Sequence, residues 1–211
     1  MSPPLTLTHL PLFPLSTVLY PGGLLDLRVF EVRYLDMVRK CQAAGAPFGV
    51  VALAQGHEVR RAGAPEEQLH EVGTLATIAQ LQSPQAGLIN LRCQGMQRFR
   101  ITARQRLPHG LWVADVQVLA ADAAVSVPAD LRHTATALQQ LLESLHAQAE
   151  PERALPRASA ALLADCGWVA NRWCELLPLP LELRQRLMAL DNPLVRLELV
   201  GDVLERMNIL R

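Results

Sequence analysis

The stretch Leu10-Pro11-Leu12-Phe13-Pro14-Leu15 decides how the first half of this chain is read. Its two prolines fix φ and withhold backbone N–H groups, so the segment is extended and suits a strand edge or strand entry. Working outward, Val18-Leu19-Tyr20-Pro21 leads into Gly22-Gly23, which permits a turn with positive φ. Leu24 to Phe30 reads as a strand. Glu31 to Ala44 follows as the one clear helix of this half, with Leu35, Val38 and Cys41 near one face and Gly45 placed to end it. Phe30 is expected to anchor the strand-to-helix junction. Glu31 stands where a carboxylate favours the positive end of the helix dipole, and Arg33 is expected to pair with it or with the strands.

Further along, Phe48-Gly49-Val50-Val51-Ala52-Leu53 is an apolar run of strand length, expected to be buried on both faces. Gly73 to Leu81, Leu88 to Cys93, Arg98 to Arg104 and Leu111 to Leu119 read as further strands. The last sets Trp112, Ala114, Val116 and Val118 on one side against Asp115 and Gln117 on the other, the period of a half-buried strand. Gln55 to Gln68 reads as an exposed loop and Ala120 to Ala124 as a small-residue linker. Beyond it the period becomes helical. Ser126 is a candidate N-cap, and two heptad rows (Leu131, Leu138, Leu145; Ala135, Leu142, Ala149) give one broad apolar stripe on a helix of about 20 residues. Pro151 and Pro156 end it, and helical patterns resume over 157–164, 168–176, 181–190 and 193–210. Short strands with one inserted helix, followed by helices, give an α+β chain whose first part is a small closed or partly closed barrel.

Composition removes several functions. The 211 residues carry 20 basic and 20 acidic side chains, so the electrostatic argument for nucleic acid is absent. Lys40 is the only lysine against 19 arginines, and it follows Arg39, so there is no Walker A cradle, and any Ser-Lys dyad or Schiff-base lysine would have to be Lys40. The first 25 residues lack Asp, Glu, Lys and Arg, but Pro3, Pro4, Pro11, Pro14 and Pro21 rule out a membrane helix there. Cys41, Cys93, Cys166 and Cys174 show no Cys-x-x-Cys spacing, which fits a bacterial-style cytosol.

The search for chemistry is mostly empty. No serine sits in Gly-x-Ser-x-Gly, and His57-Glu58 and His70-Glu71 have Arg61 and Thr74 where a second zinc-binding His would stand. No metal, cofactor or catalytic residue is assigned. Cys166 and Cys174, eight apart, read as buried packing. Trp112, Trp168 and Trp173 read as core, with a ligand cleft as the alternative. The even-numbered arginines from Arg98 to Arg106 would share one strand face, read as the solvated side of a strand burying Phe99 and Ile101.

Taken in order, Leu10–Leu15, Val18–Gly22 and Leu27–Tyr34 resemble the opening of the Lon N-terminal domain. This is the substrate-recognition domain of Lon-type ATP-dependent proteases, found also as a stand-alone bacterial protein and within cereblon-like proteins. Gly49-Val50-Val51, Gly73-Thr74-Leu75-Ala76-Thr77-Ile78 and Gly95-Met96-Gln97-Arg98-Phe99 are similar to its central strand, its Gly-Thr-x-Ala strand and its Gly-x-x-Arg-Phe turn and strand. The segment near Trp168, Leu181–Met188 and Asp191–Leu199 continue the likeness through the helical half. The resemblance implies a PUA-like β pseudo-barrel over residues 1–122 and a helical bundle over 123–211. It implies a module that engages unfolded or exposed hydrophobic polypeptide; with no Walker A motif and no candidate dyad, the chain is expected to be non-catalytic, without ATPase or peptidase, and cytoplasmic. Glu31 and Arg33 are the candidate protein-binding residues. An RNA or nucleotide binder, and a small-molecule binder with a tryptophan-lined cleft, are the alternative readings.

Overall fold

The computed structural model describes residues 5–58, 67–148 and 158–209. Residues 59–66 of the expected loop Gln55–Gln68, Ala149 of the heptad rows and the breakers Pro151 and Pro156 lie outside these. The chain divides into two units, Met1–Ala121 with Pro180–Gln185, and Asp122–Leu179 with Arg186–Arg211.

In the first unit the strands are β1 (Thr6–Leu15), β2 (Leu24–Val29), β3 (Phe48–Gln55), β4 (Gln68–Leu69), β5 (Val72–Gln85), β6 (Leu88–Arg106) and β7 (Trp112–Val118), with helix α1 (Val32–Ala44) between β2 and β3. The sheet is large and mainly antiparallel, ordered β1-β7-β6-β5-β3-β4, and β1 also pairs in parallel with β3, so the ladders return to their starting strand. β1 changes partner midway: Thr6–Leu12 pair with β7 and Leu12–Leu15 with β3. Pro11 and Pro14 each stand where the strand is laddered on one side, which tolerates a residue without an N–H.

Period-two alternation divides the buried side chains into two cores. Phe13, Leu15, Phe48, Val50, Ala76 and Val113 pack with α1 through Tyr34, Leu35, Val38 and Cys41. Leu10, Leu12, Val51, Leu53, Leu75, Phe99, Trp112 and Val116 form a second core built from strands alone. β3 is therefore buried on both faces, as its continuous apolar run predicts. β7 is not simply half-buried, because Val113 enters the α1 core while its neighbours enter the other.

β6 is one strand where the sequence suggests two, with Gly95 inside it and not in a turn. A Cβ on Gly95 would lie 2.2 Å from the carbonyl oxygen of Tyr20, and the N–H and C=O of Gly95 bond Gly23 and Gly22 across the same crossing. The Phe99 ring has a similar requirement: Cβ atoms on Gly73 and Gly49 would fall 2.5 and 2.8 Å from its Cζ. Gly22 takes the positive φ expected of the turn, and Gly45 (φ 58°) ends α1 with N–H groups of residues 45 and 46 on Gln42 and Cys41 carbonyls.

The second unit contains α2 (Arg132–Gln148), α3 (Ala160–Leu163), α4 (Cys166–Leu176), the end of α5 (Leu181–Ala189) and α6 (Pro193–Arg206). α2 begins at Arg132 after a short turn of 3-10 helix, and Ser126 does not cap it but bridges to Asp165. Along its predicted stripe Leu138 is fully buried while Leu131, Ala135, Leu142 and Leu145 are half-buried. Asp165 caps α4 through Trp168 N, and Asn192 caps α6 ahead of Pro193. The supposed linker carries a structural residue: Asp122 accepts from Arg196, which is 1% exposed and also donates to Asn171 Oδ1 and the carbonyls of Leu187 and Leu190. Cys166 and Cys174 are both fully buried in α4, as packing residues would be.

Two predictions follow from this packing. Gly73→Ala drives a methyl into both Phe99 and the Val50 carbonyl, and should cost about 3 kcal/mol or more in urea unfolding. Gly45→Ala meets nothing within 4 Å and should cost only about 1 kcal/mol, from its positive φ. Equal losses would contradict the packing.

Burial also pushes the Cys93 thiol from 9.0 up to about 12, and raises the Tyr34 phenol above its ordinary value. Both native pKa values are raised, so the folded state keeps protons that the unfolded chain releases, and stability falls as pH climbs above about 9. The melting temperature should decline between pH 9 and 12, and Cys93→Ala should flatten that decline. An unchanged slope in the variant would contradict it.

Candidate functional site

The junction between β2 and α1 follows from how side chains are shared between core and surface. Val29 is buried and ends β2, and α1 turns Tyr34, Leu35 and Val38 into the core. What lies between is pushed outward. Phe30 is 54% and Val32 72% exposed, so Phe30 does not anchor the junction as expected. It is an apolar surface residue beside a second one.

Glu31 and Arg33, which alternate with this pair in the chain, are brought together. Glu31 is the N-cap of α1, but its side chain makes no capping bond; it turns instead to Arg33, whose Nε and Nη2 lie 3.2 and 3.1 Å from Glu31 Oε2. Arg33 is buried. Its Nη1 donates to the Gly110 carbonyl at 2.7 Å, its Nη2 is 3.9 Å from Glu67 Oε1, and its guanidinium lies 4.5 Å from the centre of the Tyr34 ring. Tyr34 in turn stacks on Phe13 at 4.1 Å, which ties the cluster to β1.

Glu67 is a residue that sequence reasoning missed, since it falls at the end of the supposed exposed loop. It is buried and accepts a 2.7 Å hydrogen bond from Trp112 Nε1. No pattern around it signals burial; only the buried cation and indole across the fold require an acceptor there. Among the described residues, the charges acting on Tyr34 are those of Arg33 and of Glu31, Glu67 and Glu58.

The other candidates resolve differently. Arg98 is buried, and the β6–β7 ladder slips between Ile101 and Ala103, so Arg100 faces with Gln117 while Arg104 and Arg106 face with Ala114 and Trp112. The arginines therefore do not form one solvated strip; Arg104 and Arg106 lie 5.9 and 5.8 Å from the Trp112 ring. Trp112 and Trp173 are buried, their N–H groups taken by Glu67 and by the Thr134 carbonyl. A hollow of about 210 Å³ is lined by His9, Arg104 and Asp115, where His9 adopts a φ of 55° and donates its N–H to Asp115. Among the described residues no three His, Cys, Asp or Glu side chains are grouped to hold a metal, and no helix is long and apolar enough to cross a membrane.

The comparisons with known proteins match this architecture. The ATP-dependent protease La (LON) substrate-binding domain profile matches residues 9–206. The chain belongs to that family. A solved Lon N-terminal domain protein from Xanthomonas campestris is similar at 32% identity and a TM-score of 0.72, covering 93% of this chain and 98% of its own. The N-terminal domain of Mycobacterium avium complex Lon protease shares the fold at 18% identity and a TM-score of 0.55, covering 92% of this chain and 96% of that one. No curated protein matches.

Removing Arg33 orphans Gly110's carbonyl and leaves Glu67 with a weaker set of partners. Arg33→Ala should therefore cost about 3 kcal/mol in chemical unfolding, whereas Glu31→Gln, on a part-exposed partner, should cost about 1 kcal/mol or less. Equal small losses would mean that Arg33 does not hold the junction.

Proposed function

We propose that this Lon-domain protein is a non-catalytic polypeptide-binding module of the cytoplasm, which receives exposed apolar segments at Phe30-Glu31-Val32. The observation that carries this reading is the outward placement of Phe30 and Val32 at the β2–α1 junction, in a chain of the substrate-binding family. In this reading residues 1–122 form a PUA-like pseudo-barrel, supported by ladders that return to β1, and residues 123–211 a helical bundle.

β2 is laddered on one side only, to β6, among the described residues, and it runs directly into Phe30. An extended client segment adding to that edge gains main-chain hydrogen bonds and reaches the two apolar side chains at the end of the strand. Arg33 acts as a positioning residue: it is buried and holds Glu31, which makes the contact. Selectivity is loose, because main-chain pairing and apolar contact read little sequence.

A permanently unfolded, alkylated model protein is the probe. The wild-type chain should bind it with little salt dependence. Phe30→Ser with Val32→Ser should weaken that binding about tenfold, the loss expected when two part-exposed apolar side chains no longer bury surface against the client. Undiminished binding by a folded double variant would overturn the reading.

A further inference from the structure

We propose that Glu31 makes the site selective for apolar segments that carry an arginine or lysine next to the bulky residue. This rests on the polypeptide-binding reading and adds a charge preference to it. Both Arg33 contacts fall on Oε2 of Glu31, and Oε1 has no partner among the described residues. The carboxylate is therefore held through one oxygen by a buried cation, and its side chain is 25% exposed, at a position flanked in the chain by the exposed Phe30 and Val32.

The surrounding charge favours a cation. Among the described residues, Arg33 also serves Gly110 and Glu67, so its single charge is shared between the Glu31 and Glu67 carboxylates. On the helix side, Asp36 is exposed one turn beyond Val32 and already pairs with Arg39 at 3.6 Å. On the strand side, exposed Arg28 stands two residues before Phe30 and repels a cation. The client's basic residue is thus directed toward the helix side of Phe30. There a guanidinium can lie against the exposed ring while donating to Glu31 Oε1, which suits arginine better than lysine.

The test uses three labelled peptides, identical except for two positions flanking a Leu-Phe pair that hold Arg, Ser or Asp, with binding followed by fluorescence anisotropy on the full chain. Affinity should fall in the order Arg, Ser, Asp, with an Arg-to-Asp ratio of about tenfold at low salt that shrinks as salt rises. Glu31→Gln should bring that ratio to within about twofold, and Arg28→Gln should leave Arg ahead of Asp. Equal affinities for the three peptides, or a ratio that survives Glu31→Gln, overturn the charge selection alone. Absence of binding by all three overturns the polypeptide-binding reading itself.

Discussion

The first unit depends on one aromatic ring lying against bare backbone. Phe99, fully buried, is seated so close to Gly49 on β3 and Gly73 on β5 that neither position has room for a methyl group. Leu12 of β1 closes on Gly49 from the same core. One side chain of β6 thus draws three other strands to a common point, and the parallel β1–β3 pairing that returns the ladders to their start lies beside it. The second close approach, Gly95 under the Tyr20 carbonyl, sets the path of Leu19–Gly23 into β2. The position of Phe30 is a consequence of both, because β2 is carried to the junction by its ladder on β6.

Much of this was legible in the sequence, and the reason is local. Prolines at 11 and 14, the period-two strands, and Gly45 at the end of α1 are features whose meaning is set by neighbouring residues. The glycines at 49, 73 and 95 were visible as motifs, but a glycine inside a strand does not name the atom that approaches it. That atom belongs to a residue distant in the chain. The slip at Thr102 was hidden for a related reason: a bulge is decided by what the partner strand does, and it alone separates Arg100 from Arg104.

The candidate site divides along the same line. Arg33 was expected to pair with Glu31 or with the strands, and it meets Glu31 and also donates to the Gly110 carbonyl. Phe30 was misread because an aromatic beside buried Val29 looks like core, whereas the alternation of β2 turns it outward and α1 offers nothing to cover it. Glu67 and Asp122 do lie outside helices and strands, as the loop and linker readings have it, but polar residues without a period gave no sign that either is held by a partner. Each is the acceptor for a buried donor, Trp112 in one unit and Arg196 in the other.

Amide hydrogen exchange, read with and without a saturating unfolded client, measures most directly where this chain meets other polypeptides. Slowed exchange should be concentrated over 24–36, along the β2 edge and the first turn of α1. Unchanged exchange there, with protection appearing on α2 or α6 instead, would contradict the account.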